Sequence, residues 1–468
     1  METLESTQAT EFSETQKMMV FAFMSDVLES KEVLNVAELE DSLQLDFQKL
    51  FDSKIAQDVL GGKWHCPIKP WVQVTAKLES NLNAIFISPD GKTMVIGVAG
   101  TNFVSGYDWF TEDADVQNMK PWNGTLVDKD SKDTSTSKGY IAEGTSIALW
   151  NTWTANRKGQ GDSRTFATVV KEYIEGNTDV TEVIVTGHSL GGAITPVLAQ
   201  ALFEFGGLRK GVTIKAYPFA DPTSGDQTFI NHVGESIQVI SNINAHDVVP
   251  HAWEKATMKL IDTIFTGQGA FKKMDQGNDS IVANTIAWLQ KRSNAAAHPY
   301  MRWSRMAPTS NKYGSAEHSF KGLYVRKGHE DEDKKKAVSA MTKIRALIVG
   351  LATYGTDPLG KKKNEFLINL IKASGRKVED KTVAHYLFVM TDEITYFSKF
   401  LALLAQQHIT AYSWNYFSSA DAQAFIAEKS KTLKIKETAS ETAYTATKGI
   451  EVLKTLMSDV AKSTTPST

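Results

Sequence analysis

Residues 182–195 read EVIVTGHSLGGAIT, and this stretch constrains the fold more than any other. An apolar, β-branched run ends at Gly187. Ser189 follows, and then Leu190-Gly191-Gly192 and a small-residue helix start. A chain that passes from strand to helix this abruptly needs a left-handed backbone at the serine. It also needs flanking glycines, so that neighbouring strand and helix can close on the turn. The hydroxyl then stands at a helix N-terminus, where the dipole and unpaired N–H groups favour negative charge. The pattern G-x-S-x-G alone arises by chance; the strand before it and the helix after it make it informative. Without chemistry, the same residues read as a glycine-rich strand-to-helix turn. Pro196 falls about two turns into that helix, where its ring clashes with an upstream carbonyl, so a kink or an early break is expected there.

Around this unit the pattern alternates. Residues 15–60 have apolar spacing near 3.6 (MMVFAFMSDVL, AELEDSLQLDFQKLF, KIAQDVL) and read as helices. Residues 84–88 and 93–98 read as two strands joined by the turn PDGK. Helices are expected at about 141–156 and 163–175, and strands at 212–217 and 236–241. Strands alternating with helices indicate an α/β fold with a largely parallel sheet. From about 255 to 400 the chain reads mostly helical, with lysine-rich punctuation such as RKGHEDEDKKK and GKKKNEF. Those charge runs read as solvated loops and helix faces. The tail STTPST reads as frayed.

Composition narrows the function classes. A net charge of −3 over 468 residues does not point to a nucleic-acid partner. The one cysteine, Cys66, excludes an internal disulfide framework and fits a reducing compartment without excluding export. No run reaches the length of a membrane span, so no transmembrane helix is expected. The acidic, polar start METLESTQATEFSETQ lacks the features of a secretory signal. The expectation is therefore a cytoplasmic protein, or one exported without a cleaved signal. No Cys/His spacing suggests a metal, and no cofactor is expected.

A serine nucleophile needs a base and an acid. Strand 236–241 leads into NINAHDVVPHAW, which supplies Asp247; strand 212–217 leads into FADPTSGD, which supplies Asp221 as a rival. A lone loop Asp is otherwise a turn or capping residue. In the order serine, acid, histidine, His65, His188, His232 and His246 come too early. His251 is four residues past Asp247, too close to reach both partners. His298, His318, His329, His385 and His408 remain.

Four segments in order resemble the class 3 lipase family, the fungal-type triacylglycerol lipases and their bacterial and plant relatives. VAGTNFVSGYDWFTED (98–113) is similar to the family's oxyanion and lid segment, and VTGHSLGGA to its elbow. YPFADPTSGDQTF (217–229) is similar to its Phe-Gly-x-Pro-x-x-Gly-Asn-x-x-Phe segment, and SNINAHDVVPHAW to the segment carrying the acid. His408-Ile-Thr-Ala-Tyr412 resembles the family's His-x-x-x-Tyr segment. The resemblance implies an α/β-hydrolase fold with a triad of Ser189, Asp247 and His408. It implies an oxyanion hole from the Leu190 and Thr101 amides, and a lid near 103–113 in which Phe103, Tyr107, Trp109 and Phe110 meet the substrate. It implies lipid or simpler carboxylic esters as substrates, met at a membrane or droplet interface. The chain departs from the family at Ala99, where an arginine is usual, at SKGYI (137–141), which lacks the usual histidine, and at Ala220, usually glycine.

The expected layout is an N-terminal helical segment (1–62), a hydrolase core (63–254), a helical insertion or cap (255–400) and a histidine segment with C-terminal helices (401–468). The insertion reads either as a roof over an acyl pocket or as a separately packed bundle. Beside the hydrolase stands a catalytically idle relative that binds lipid or protein through the same fold. The intact elbow and the ordered triad types favour the enzyme.

Overall fold

The computed structural model describes residues 10–26, 35–75, 78–100, 116–128, 137–157, 160–265, 280–305, 316–320, 372, 400, 403–404, 406–417 and 419–433. Three helices come first, α1 (Glu14–Ser25), α2 (Val36–Asp52) and α3 (Lys54–Leu60). Ser13 starts α1 with a reciprocal capping box to Gln16, and Asn35 caps two amides of α2. Strands β1 (Trp71–Thr75), β2 (Leu78–Ile87) and β3 (Thr93–Val98) follow. Two short ribbons come next, β4 (Met119–Pro121) with β5 (Tyr140–Ala142) and β6 (Asn156–Arg157) with β7 (Asp162–Thr165). Helix α4 (Glu143–Thr154) lies between the ribbons, and α5 (Phe166–Gly176) follows them. Then come β8 (Glu182–His188), α6 (Leu190–Phe205), β9 (Thr213–Phe219), α7 (Gln227–Ser236) and β10 (Gln238–Asn244). Helix α8 (Ser280–Asn294), β11 (Ala316–Phe320), α9 (Ala411–Tyr416) and α10 (Ala420–Thr432) follow. Among the described residues no helix is long and apolar enough to cross a membrane.

Seven strands form one mixed, mostly parallel sheet in the order β1-β2-β3-β8-β9-β10-β11. The first three pair antiparallel, and β3 onward are parallel. Strands buried on both faces must be apolar at every position, and parity then decides which side chain meets which layer. In β3 and β8, Met94, Ile96, Val98, Val183 and Val185 join one core with residues of α4, α5, α6 and α8. Val95 and Ile184 join the other, with residues of α1, α2, α3 and α10. The N-terminal helices therefore cover one sheet face, with Phe21 stacked on Phe86 at 4.9 Å and Phe47 edge-on to it at 5.4 Å.

The early break weighed for Pro196 does not occur. Helix α6 runs unbroken through Pro196 for 16 residues. All of its residues from Leu190 to Leu202 are buried, and tertiary packing of that length outweighs the loss of one helix hydrogen bond. Within the range 255–400, expected to be mostly helical, β11 extends the parallel sheet beside β10. Its sequence AEHSF carries no β-branched residue, so it gives no strand signal by itself.

If the N-terminal helices are structurally one unit with the sheet, truncating the fully buried Phe86 should cost the whole domain about 3–5 kcal/mol. Urea unfolding of Phe86→Ala followed by tryptophan fluorescence should show one transition moved to lower urea.

Candidate active site

Strand β8 ends at His188 and α6 begins at Leu190, so Ser189 alone makes the turn, at φ 60° and ψ −124°. A non-glycine residue in so sparsely populated a region costs about 1–3 kcal/mol and persists only where its surroundings force it. The surroundings here are two close-packed layers. A Cβ on Gly187 would lie 2.6 Å from the Gly191 carbonyl and 2.7 Å from that of Val98. A Cβ on Gly191 would lie 2.4 Å from the Val98 carbonyl. The glycines expected from sequence are therefore demanded by contact between β3, β8 and α6.

A serine before a helix normally caps it. The Ser189 side chain makes no such bond; its Oγ lies 2.8 Å from His408 Nε2. His408 is fully buried in a π-turn, Gln406–Thr410, that leads into α9, and isolated π-turns are frequent at functional sites. Its Nδ1 lies 2.7 Å from Asp247 Oδ2. A carboxylate only accepts, so the ring proton sits on Nδ1 and the Nε2 lone pair faces the serine hydroxyl. Burial holds the His408 pKa below its ordinary range, against the opposing pull of Asp247.

Asp247 follows the C-terminal end of β10, and its Oδ1 accepts the Val249 N–H at 2.9 Å. The Tyr412 hydroxyl donates to Oδ2 at 3.1 Å while accepting the Asn244 N–H at 2.7 Å. Burial, reinforced by Asp247, raises the Tyr412 pKa well above its usual value, so the hydroxyl stays a donor. The Asn244 amide donates to the Gln407 carbonyl at 3.0 Å and to its side-chain oxygen at 2.9 Å. The acid's loop and the histidine's turn are thus tied together on both sides of the carboxylate. Chemically, this chain of groups can take the proton from Ser189 Oγ and stabilise the cation that results.

The structure brings together Ser189, Asp247 and His408. Leu190 opens α6, so its amide is among those a helix leaves without an intrahelical partner. Thr101, Phe103, Tyr107, Trp109 and Phe110 lie outside the described residues, as do His329 and His385. Asp221 is apart from His408: it is buried and accepts a hydrogen bond from Ser241 at 2.7 Å. Burial, partly offset by Ser241, pushes its pKa up to about 8. His298 stacks on Tyr140 at 3.6 Å, and His318 sits exposed on β11. Ala220 holds a left-handed backbone, φ 53°, which explains the glycine preference at that place. Tyr412, which the sequence places in the His-x-x-x-Tyr segment, gains its role only here, and the sequence gives Asn244 no role. His408 and Tyr412 stand four apart, one helical turn.

Residues 95–256, about a third of the chain, match the family model described as lipase (class 3). That segment holds Ser189 and Asp247, and the site geometry converges on it. Over these residues the chain resembles the class 3 lipases. The chain is a carboxylic ester hydrolase of the lipase type, with an α/β-hydrolase fold. Among solved structures, M37 lipase is 22% identical, with a TM-score of 0.51 over 64% of this chain and 84% of that one. The lipase of Rhizopus microsporus var. chinensis is 18% identical, with a TM-score of 0.34 over 52% and 71%. A triacylglycerol lipase from Penicillium expansum is 15% identical, with a TM-score of 0.34 over 52% and 74%. Among curated protein sequences, none matches the chain.

Two outcomes follow. Tyr412→Phe removes a hydrogen bond to a charged group, worth about 1.5–3 kcal/mol, and should lower kcat by roughly 10-fold or more with KM little changed. The Asp221 carboxyl keeps its proton when folded and loses it when unfolded as pH rises above its ordinary value of 3.8, so it makes stability fall with rising pH up to about 8. Thermal melts of Asp221→Asn should show a flatter decline than wild type between about pH 5 and pH 8.

Proposed function

We propose that the chain hydrolyses lipid carboxylic esters through an acyl-enzyme on Ser189, with His408 as base and acid and Asp247 as its partner. The observation that carries this reading is the Ser189–His408–Asp247 hydrogen-bond chain, built on a left-handed serine that caps nothing. His408 Nε2 removes the hydroxyl proton as Oγ attacks the acyl carbon, and Asp247 supports the imidazolium through Nδ1–H. The oxyanion of the tetrahedral intermediate takes hydrogen bonds from the Leu190 amide and from that of Thr101. Loss of one such donor typically costs ~3 kcal/mol. His408 then passes the proton to the departing alcohol, breaking its bond to the acyl carbon. Water repeats the sequence, releasing the acid and freeing Ser189.

The substrate class follows from the family together with the aromatic run after Thr101. Phe103, Tyr107, Trp109 and Phe110 are proposed to cover an acyl pocket near the site, and the helical part of 255–400 to extend it. Class 3 lipases set the precedent of an acyl glycerol, and the Penicillium expansum relative is a triacylglycerol lipase by name.

Hydrolysis of p-nitrophenyl esters of short, medium and long chains, and of a triacylglycerol emulsion, tests the proposal. Ser189→Ala and His408→Ala should lower kcat by about 10⁴-fold or more, and Asp247→Asn by a comparable factor. His298→Ala should leave it unchanged. Ester hydrolysis that survives Ser189→Ala would contradict the assignment. The base must be neutral to accept the proton, so activity falls as pH drops through the His408 pKa. Burial lowers that pKa, and the acid limb of kcat/KM should therefore lie below the ordinary histidine value of 6.5.

A further inference from the structure

Asp26 ends α1 with the wrong charge for its place. The C-terminal end of a helix carries partial negative charge, which disfavours a carboxylate, and the last turn of α1 holds no basic residue. Its side chain is nevertheless only 8% exposed, so distant partners must offset that cost. Oδ1 accepts the Gly100 N–H at 3.0 Å. Oδ2 lies 3.4 Å from His188 Nδ1, and no hydrogen-bond donor reaches it among the described residues. His188 Nε2 donates to the backbone carbonyl of His408 at 2.8 Å.

Strand parity puts His188 there. Ile184, Thr186 and His188 alternate onto one face of β8, the face covered by α1; the Thr186 hydroxyl donates to the Met18 carbonyl at 3.2 Å. The His188 ring stacks on Phe23 at 4.7 Å and lies 4.8 Å from the His408 ring. Both of its nitrogens face oxygens, Nε2 the His408 carbonyl and Nδ1 the Asp26 carboxylate.

We propose that Asp26 and His188 are positioning residues for the hydrolytic site, a strut from the N-terminal helix that holds the His408 backbone and the end of β3 in one register. The strut rests on the triad reading. Neither residue reaches Ser189 Oγ; they act through what they hold. Through His188, Asp26 fixes the carbonyl of the base. Through Gly100, it holds the chain just past β3. One carboxylate therefore ties the base to the strand beside the elbow, and small displacements of a catalytic group are costly. Among the described residues, the charged groups acting on the His408 ring include Asp247, beside Tyr412, and the pair Asp26 and His188; His188 lowers its pKa and Asp26 raises it.

Kinetics on a p-nitrophenyl ester, normalised to sites titrated with a fluorophosphonate, test the strut. Asp26→Ala should lower kcat on the order of 10-fold, short of the roughly 100-fold that a 1 Å misplacement can cost, with KM little changed. Asp26→Asn keeps an acceptor for Gly100 and should restore most of kcat. His188→Gln keeps an amide donor for the His408 carbonyl but removes the ring that lowers the His408 pKa, so the acid limb of kcat/KM should move to higher pH. These readouts separate positioning from mere support, which would alter the number of titrated sites and the melting temperature without altering kcat per site. Full kcat per site in Asp26→Ala, or an unmoved acid limb in His188→Gln, would overturn the strut alone. Activity persisting in Ser189→Ala would overturn the triad reading beneath it.

Discussion

A serine forced to φ 60° between two layers packed too closely for a side chain is the constraint on which the rest of the site depends. The turn can be made only where β3, β8 and the start of α6 are in backbone contact. That contact places Ser189 at the carboxyl end of a parallel strand, where open α/β sheets build their sites. The same turn takes the hydroxyl away from its usual capping role and leaves it for His408.

The remaining parts arrive from far along the chain. His408 is separated from Ser189 by 219 residues and from Asp247 by 161. Closing such loops is entropically costly, and the offset is a dense set of buried contacts. Tyr412 and Asn244 lock the acid loop to the histidine turn, and His188 anchors the carbonyl of that turn to α1. The low effective dielectric of this pocket strengthens each bond and raises the cost of leaving any one unmade.

How much of this was legible in the sequence follows from distance along the chain. The elbow, the hairpin at 88–93 and the strands β3, β8, β9 and β10 are local patterns, and they stand close to where the periodicity puts them, whereas β1 was not read. Asp247 was one of two acids until resemblance chose between them, and His408 was one of five histidines. Nothing in the spacing of a single chain tells which loop returns to the serine. Tyr412 comes with the His-x-x-x-Tyr segment, but Asp26 cannot be read from sequence, because its partners are set by packing of a helix on a sheet. Pro196 does not break α6, because propensity is local and α6 is buried. β11 went unread because pairing with β10, and not its own residues, makes it a strand.

The most direct test of the account is peptide mass spectrometry after reaction with diethyl p-nitrophenyl phosphate, which phosphorylates an activated serine and needs no knowledge of the natural ester. The account predicts one diethylphosphoryl group per chain, on the peptide containing Ser189, with its rate of formation collapsing in His408→Ala. A modification carried by another residue, or an unchanged rate in His408→Ala, would contradict it.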